Sequence, residues 1–421
     1  MTLVRLLLLA LVLLAPRLYL WGTVPAGIHG DEAGQVAFGI REFAHPSPPW
    51  ESFVMLPTAH FWLYGAAVAL AGGHRDVWPG RAVSGVFGIL GACAITAIAW
   101  RLTGWWGALI AACALASPLT LQFERMALVN VWTTALWSMA LAVLVYSRRI
   151  AALMLSGALV GLSAYGYHVS RLVPGLALVG GLAALWQAPR ATLRAASWWV
   201  ASCLVVAGPY LYGMWLYPQI AFGRAIGTSW LAGAPASEWG PRAMVHVGMT
   251  IETLMGQHFD DSGGFFPYHL PLFPSVVVGA TLIGSIGVAR RAPALCCVLV
   301  AWLVGVLGGN VLRGSFAYSC VLICAVPACA LLSAGIAAWP WPGRDLICAL
   351  SVVTLVAGIA PQVWGYYAEA DHVPPSDQKI LDYYVYWRDH PPDGPVVQHN
   401  ALLGCGGGFA QLFMPYGCRD E

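Results

Sequence analysis

Apolar residues in this chain gather into long runs separated by short polar punctuation, unlike the narrow stripes of a soluble helical bundle. The runs cover 3–20, 79–100, 104–121, 128–147, 152–167, 172–187, 196–216, 271–289, 292–312, 317–338 and 345–362. A helix needs about 20 apolar residues, at ~1.5 Å of rise each, to cross a hydrocarbon core ~30 Å thick. The pattern predicts an all-α polytopic membrane protein with about eleven transmembrane helices. A further stretch, 57–73, is shorter and holds His60, Trp62 and Tyr64, residue types at home in the membrane interface.

Composition agrees. Of 421 residues, 59% are hydrophobic and 10% charged, with a mean hydropathy of +0.70, which excludes a soluble chain of this size. The formal charge of +2 gives no argument for a nucleic-acid partner, and none is expected. The first run, Leu3 to Leu20, resembles a signal peptide with Arg5 as its positively charged n-region. Residues 16–19 lack a small-residue cleavage site, so it reads as a retained span. Of the 11 cysteines, all but Cys405 and Cys418 lie in apolar runs, as small core residues do. Those two form a disulfide if their polar segment faces an oxidising compartment.

Arginine positions set the topology. With 57–73 in the interface and a cytoplasmic N-terminus, Arg5, Arg101, Arg148, Arg149, Arg190, Arg194, Arg290, Arg291 and Arg344 all fall inside. If 57–73 spans instead, all of these except Arg5 fall outside. The positive-inside rule selects the first order. The 11 histidines, and every acid except Asp345, then lie outside or at the outer edge. This implies a transmembrane domain over 1–362 with outer loops at 21–78 and 217–270, and a short extracytoplasmic tail over 363–421. The expected location is the inner (cytoplasmic) membrane, with the chemistry on its periplasmic or extracytoplasmic face. No ionisable residue sits near mid-span and no inverted repeat is visible, which disfavours a channel or proton-coupled pump.

Five short segments carry the polar chemistry. In "GIHGDEAGQVAFGIREFA", Asp31 and Glu32 precede an apolar stripe of Val36, Ala37, Ile40 and Phe43, with Gln35 and Glu42 away from it. This predicts an interfacial amphipathic helix, with Asp31 read either as its N-cap or as a reactive carboxylate. In "LQFERMALVNVW", Glu124 and Arg125 read as a solvated pair at a membrane edge, and Asn130 as a satisfied polar group or a ligand contact. In "AYGYHVSRLVPG", Tyr165, Tyr167, His168, Ser170 and Arg171 share one outer turn. Arg171 there either snorkels or clamps a phosphate with its planar fork. Arg313, in "NVLRGSFAYS", lies outside against the positive-inside trend, which a bound anion would explain; Tyr318 follows one turn later. His258, Asp260, Asp261 and His269 in the long loop include metal-ligand types, but their spacing matches no strict metal motif. Glu32, His258 and Asp260 are the candidates for a divalent metal, and no cofactor is firmly implied.

In this order the segments resemble the GT-C membrane glycosyltransferases that use polyprenyl-phosphate sugars, over roughly residues 1–340. The likeness is to the protein O-mannosyltransferase and lipid A aminoarabinose transferase branch. It rests on "GIHGDEAGQVAFG", "LPTAHFWLYGAAVALAGG", "VWPGRAVSGVFGIL", "ERMALVN", "YGYHVSRLVPG", "DDSGGFFPYHLP" and "RGSFAYSCVLICAVP". The resemblance implies a catalytic base at Asp31 with Glu32 beside it, and phosphate contacts at Arg171 and Arg313. It also implies a second acidic position that here falls on Asn130, with Glu124 nearby, a departure from the family pattern.

The residue types suit that chemistry on their own terms. A polyprenyl phosphate leaves without a general acid but gains from cations at its phosphate. An acceptor hydroxyl gains from a carboxylate that takes its proton, and one attack on the far face gives inversion. The implied partners are a lipid-linked sugar donor, membrane lipid and an extracytoplasmic acceptor, whether protein, glycolipid or glycan. The sugar itself, hexose, pentose or amino sugar, is left open. The competing readings are a lipid-carrier flippase or transporter, and a catalytically altered subunit of the same fold.

Overall fold

The computed structural model describes residues 2–25, 28–44, 46, 59–72, 77–187, 189–218, 229, 234–257, 266, 268–312, 319–340 and 342–369. Within these the regular structure is helical. The chain begins with α1 (Thr2–Leu18), α2 (Gly30–Ala44), α3 (Ala59–Leu70), α4 (Trp78–Thr103), α5 (Trp105–Ala114) and α6 (Pro118–Glu124). It continues with α7 (Val129–Tyr146), α8 (Ile150–Ser163), α9 (Val173–Gln187), α10 (Pro189–Leu216) and α11 (Ala236–Leu254). The last helices are α12 (Ser275–Arg291), α13 (Pro293–Leu312), α14 (Ser319–Ala338, interrupted by 3-10 turns) and α15 (Arg344–Glu369).

Six of these helices are long and apolar enough to cross a membrane, and seven when α5 and α6 count as one broken span. The chain is therefore a multi-pass membrane protein. The run over α5 and α6 bends by 73°. Ser117 caps α6 by accepting the Thr120 N–H at 3.4 Å, and Pro118 cannot extend the hydrogen-bond ladder of α5. The expected crossings 3–20, 152–167, 172–187 and 271–289 are helical but shorter, at 17, 14, 15 and 17 residues. Length and composition alone thus establish six or seven crossings.

The bundle has two poles. At one, the C-terminal end of α1 meets Arg125 and the C-terminal end of α15. The N-terminal ends of α4 and α7 lie at this pole too, held to α2. At the other pole, the start of α15 bonds to the end of α4 and the start of α5. α14 forms the buried axis between them, and Trp302 of α13 donates to its Cys324 carbonyl at 2.8 Å.

α2 and α3 pack as a close pair because glycines face each other. A Cβ at Gly65 would lie 2.1 Å from the Gly39 carbonyl oxygen, and one at Gly39 would lie 2.6 Å from that of Phe61. At 12 residues α3 rises about 18 Å, short of a hydrocarbon core. The faces of α2 differ from the expected ones. Val36 is buried, but so are Gln35, Arg41 and Glu42, while Phe43 is 49% exposed. Polar side chains of this helix are spent on protein contacts, such as the Arg41–Glu42 ion pair at 3.0 Å, and an apolar one is left at the surface. A helix lying at a membrane edge permits this inversion, since its outward apolar groups meet lipid.

Candidate active site

The two adjacent carboxylates at the start of α2 have different surroundings. Glu32 is fully buried, and its oxygens accept from Arg81 Nε at 2.6 Å and Arg81 Nη2 at 2.8 Å. They also accept from the Ala127 N–H at 2.8 Å and the His29 N–H at 3.4 Å. Arg81, itself buried, donates through Nη1 to the Pro25 carbonyl at 2.8 Å and lies over the Trp78 ring at 4.5 Å. A buried ion pair survives only when its remaining donors and acceptors are met, as here. Glu32 thus fastens the first turn of α2 to the start of α4 and to the turn before α7. Asp31, one residue earlier, is half-buried, and its N–H donates to His29 Nδ1 at 3.1 Å.

Gln35 stands three residues after Glu32, hence on the same helix face. Its Oε1 accepts the Val129 N–H at 3.1 Å. α7 has Leu128 at its N-cap, which carries no side-chain acceptor, so α2 supplies from outside the cap that α7 lacks.

The turn after α8 approaches the same place. Its Tyr167 N–H donates to Thr133 Oγ1 at 2.7 Å, one turn into α7. His168 opens a 3-10 turn that ends at Leu172. Tyr167, His168 and Arg171 are half-buried, and the Arg171 guanidinium hydrogen-bonds the Tyr210 side chain of α10. The Tyr165 hydroxyl donates to the Val206 carbonyl at 3.1 Å, and its backbone carbonyl lies 3.3 Å from His60 Nδ1 of α3. Ile28 and Tyr167 pack on one cluster of buried side chains that includes Val36, Val129 and Trp132. The first turn of α7 thus gathers the Asp31 helix on one side and the Tyr167–Arg171 turn on the other.

Other expected residues are committed elsewhere. Glu124 and Arg125 are buried, not a solvated pair. Glu124 pairs with Arg17 at 2.8 Å. Arg125 Nη2 donates to the carbonyls of Pro16, Arg17 and Tyr19 at 2.9, 3.0 and 2.6 Å, and lies 2.8 Å from the Tyr367 hydroxyl. The reason is that α1 ends here with unsatisfied carbonyls and partial negative charge, which a guanidinium neutralises. Asn130 Nδ2 donates to the Cys320 carbonyl at 2.7 Å and binds α7 to α14. Arg313, Tyr318, His258, Asp260, Cys405 and Cys418 lie outside the described residues. Among the described residues no three His, Cys, Asp or Glu side chains converge as metal ligands, and the oxygens of Glu32 are already taken. A cavity lies beside Glu124, Thr134 and Ser138, and Asp31 is not among its lining residues.

Sequence reasoning passed over Arg81, Gln35, Arg17, Thr133 and Tyr210. Arg81 carried a usable signal: in "WPGR" it is a cation at the outer start of a span, the anomaly already noted at Arg313. The contacts of Gln35 and Thr133 are tertiary and left no local trace.

No protein-family model and no curated protein matches the sequence. Solved structures do. The crystal structure of ArnT from Cupriavidus metallidurans bound to undecaprenyl phosphate matches with a TM-score of 0.56 and 17% identity. That match covers 96% of this chain and 70% of the other. The archaeal oligosaccharyltransferase AglB from Archaeoglobus fulgidus, in complex with an inhibitory peptide and a dolichol-phosphate, matches with 0.55 and 14% identity. This second match covers 93% of this chain and 60% of AglB. At such identities the likeness is one of architecture, and over nearly its whole length this chain has the GT-C-like fold of those two proteins.

Proposed function

We propose that this chain is an integral-membrane glycosyltransferase that moves a sugar from a polyprenyl-phosphate carrier to an extracytoplasmic acceptor with inversion. The observation that carries the reading is the split between the two acids. Glu32 is fully buried against Arg81 and two backbone N–H groups, whereas Asp31 at the same helix end is partly exposed. The match to a protein crystallised with undecaprenyl phosphate supports the donor class.

In this reading the acceptor hydroxyl gives its proton to the Asp31 carboxylate as its oxygen bonds to the anomeric carbon. The bond from that carbon to the phosphate oxygen breaks, and the electron pair leaves on the polyprenyl phosphate. Arg171 and Arg313 hold the growing phosphate charge, and Tyr167, His168 and Tyr318 line the donor headgroup. Attack opposite the leaving group inverts the anomeric carbon. With the eleven crossings and cytoplasmic N-terminus that the arginine pattern supports, this pole of the bundle lies on the extracytoplasmic face of the inner membrane. Glu32 acts by position: it holds the first turn of α2 against α4 and α7, so that its neighbour Asp31 is fixed in space.

Purified protein in detergent, given a panel of radiolabelled polyprenyl-phosphate sugars with an acceptor extract, tests this. Wild type should release free polyprenyl phosphate, and Asp31→Asn should slow release by about 10²–10⁴-fold, the usual contribution of a general base. Equal release by both proteins removes Asp31 from the chemistry. Donor binding without turnover by wild type refutes the enzyme.

A further inference from the structure

At the pole opposite Asp31 several helix ends bring arginines and indoles together. Arg5 of α1 lies over the Trp105 ring of α5 at 5.8 Å, and Arg290 of α12 over Trp339 at 4.5 Å. Arg344 Nη2 donates to the Thr103 carbonyl at 2.9 Å, and Trp106 Nε1 to Asp345 Oδ1 at 2.9 Å. A Cβ at Gly107 would lie 3.1 Å from the Ala334 carbonyl, and one at Gly287 would lie 3.1 Å from the Trp339 ring. The start of α5 and the end of α12 therefore share the 334–339 segment. Arg101, Arg290, Arg291 and Arg344 are exposed. Among the described residues none of these, nor Arg5, forms an ion pair; the four ion pairs lie elsewhere.

Exposed guanidinium groups without carboxylate partners, set beside indoles at the end of a membrane bundle, fit a phosphodiester. The planar fork matches phosphate oxygens, indoles favour headgroup depth, and basic pockets between helix ends bind anionic headgroups. The flanks decide between a lipid and a free anion. Leu3 of α1, Ile286 of α12, and Leu346 and Leu350 of α15 run along the same helices from the arginines and are exposed, as acyl-chain contacts would be. We propose that this arginine–indole surface is a binding site for the headgroup of an anionic phospholipid.

The test uses the full-length protein in mild detergent, titrated with phosphatidylglycerol, phosphatidylcholine or inorganic phosphate. Lipid retention is counted by native mass spectrometry. Wild type should retain phosphatidylglycerol in preference to phosphatidylcholine. At about five-fold per arginine near a surface, Arg101→Gln, Arg290→Gln and Arg291→Gln together should weaken retention about a hundred-fold. The single variant Arg291→Gln, expected to lose about five-fold, replaces the triple variant if that one does not fold. Arg148→Gln with Arg149→Gln, at the same pole beyond α7, should leave retention unchanged. Equal retention of the two lipids, equal loss in the Arg148/Arg149 control, or competition by inorganic phosphate at equal concentration would overturn the site.

Discussion

At Glu32 the carboxylate accepts from Nε and Nη2 of Arg81 and from two backbone N–H groups, with both side chains buried. Removing one partner of such a pair leaves a buried charge uncompensated, which costs about 3–5 kcal/mol. Arg81→Ala should therefore lower the thermal midpoint in detergent sharply, whereas Asp31→Asn, at a half-buried position, should leave it near wild type. Unfolding curves of the two variants side by side decide this; an Arg81→Ala midpoint equal to wild type would mean the pair does not hold α2. The sequence marked both acids as special but could not separate them, because adjacency along the chain says nothing about which oxygen finds a cation 49 residues away. Glu124 and Arg125 show the same limit. Their position at the end of an apolar run suggests solvent, and only the arrival of α1 makes them interior.

Among elements, the α2–α3 pair and the start of α7 are fixed by contacts of different strength. The Gln35 cap on α7 is a single hydrogen bond, so Gln35→Ala should cost about 1 kcal/mol and little activity. The glycine crossing is a steric constraint. At Gly65 the nearest atom to an added Cβ is backbone oxygen, which no rotamer change can clear. Gly65→Val should push α2 from α3 at a cost of about 1–3 kcal/mol. Because α2 carries Asp31, the transfer rate should fall far more than the melting point does. A Gly65→Val protein with wild-type turnover would show that the pairing does not set the position of Asp31. The existence of α2 was legible from its apolar period, and that of α3 from its short run with aromatic residues. Which face of α2 points inward was not legible, because a chain bordered by lipid has two apolar environments and periodicity cannot tell them apart.

For the whole molecule, the arginine count anticipated a segregation that the helix ends now show. Arg101, Arg290, Arg291 and Arg344 gather at one pole, and Asp31, Glu32, Arg81 and Arg125 at the other. This segregation survives even where helix lengths fall short of a full crossing, because charge placement depends on loops while length depends on where each helix breaks. The orientation makes a prediction that no single helix could. Gln257, exposed just beyond α11 and next to the start of α12, belongs to the Asp31 pole, and Arg101 to the opposite one. A cysteine replacing Gln257 should react with a membrane-impermeant maleimide added to intact cells, and one replacing Arg101 only in inverted vesicles. The native cysteines, of which Cys93 and Cys297 are exposed, are first replaced by serine so that each label reports its own position. Labelling of both from the same side would mean that an odd number of the crossings between them had been miscounted, and the reversed pattern, Arg101 from outside and Gln257 only from inside, would move the Asp31 pole to the cytoplasm. There a lipid-linked donor and an extracytoplasmic acceptor could no longer meet at that carboxylate.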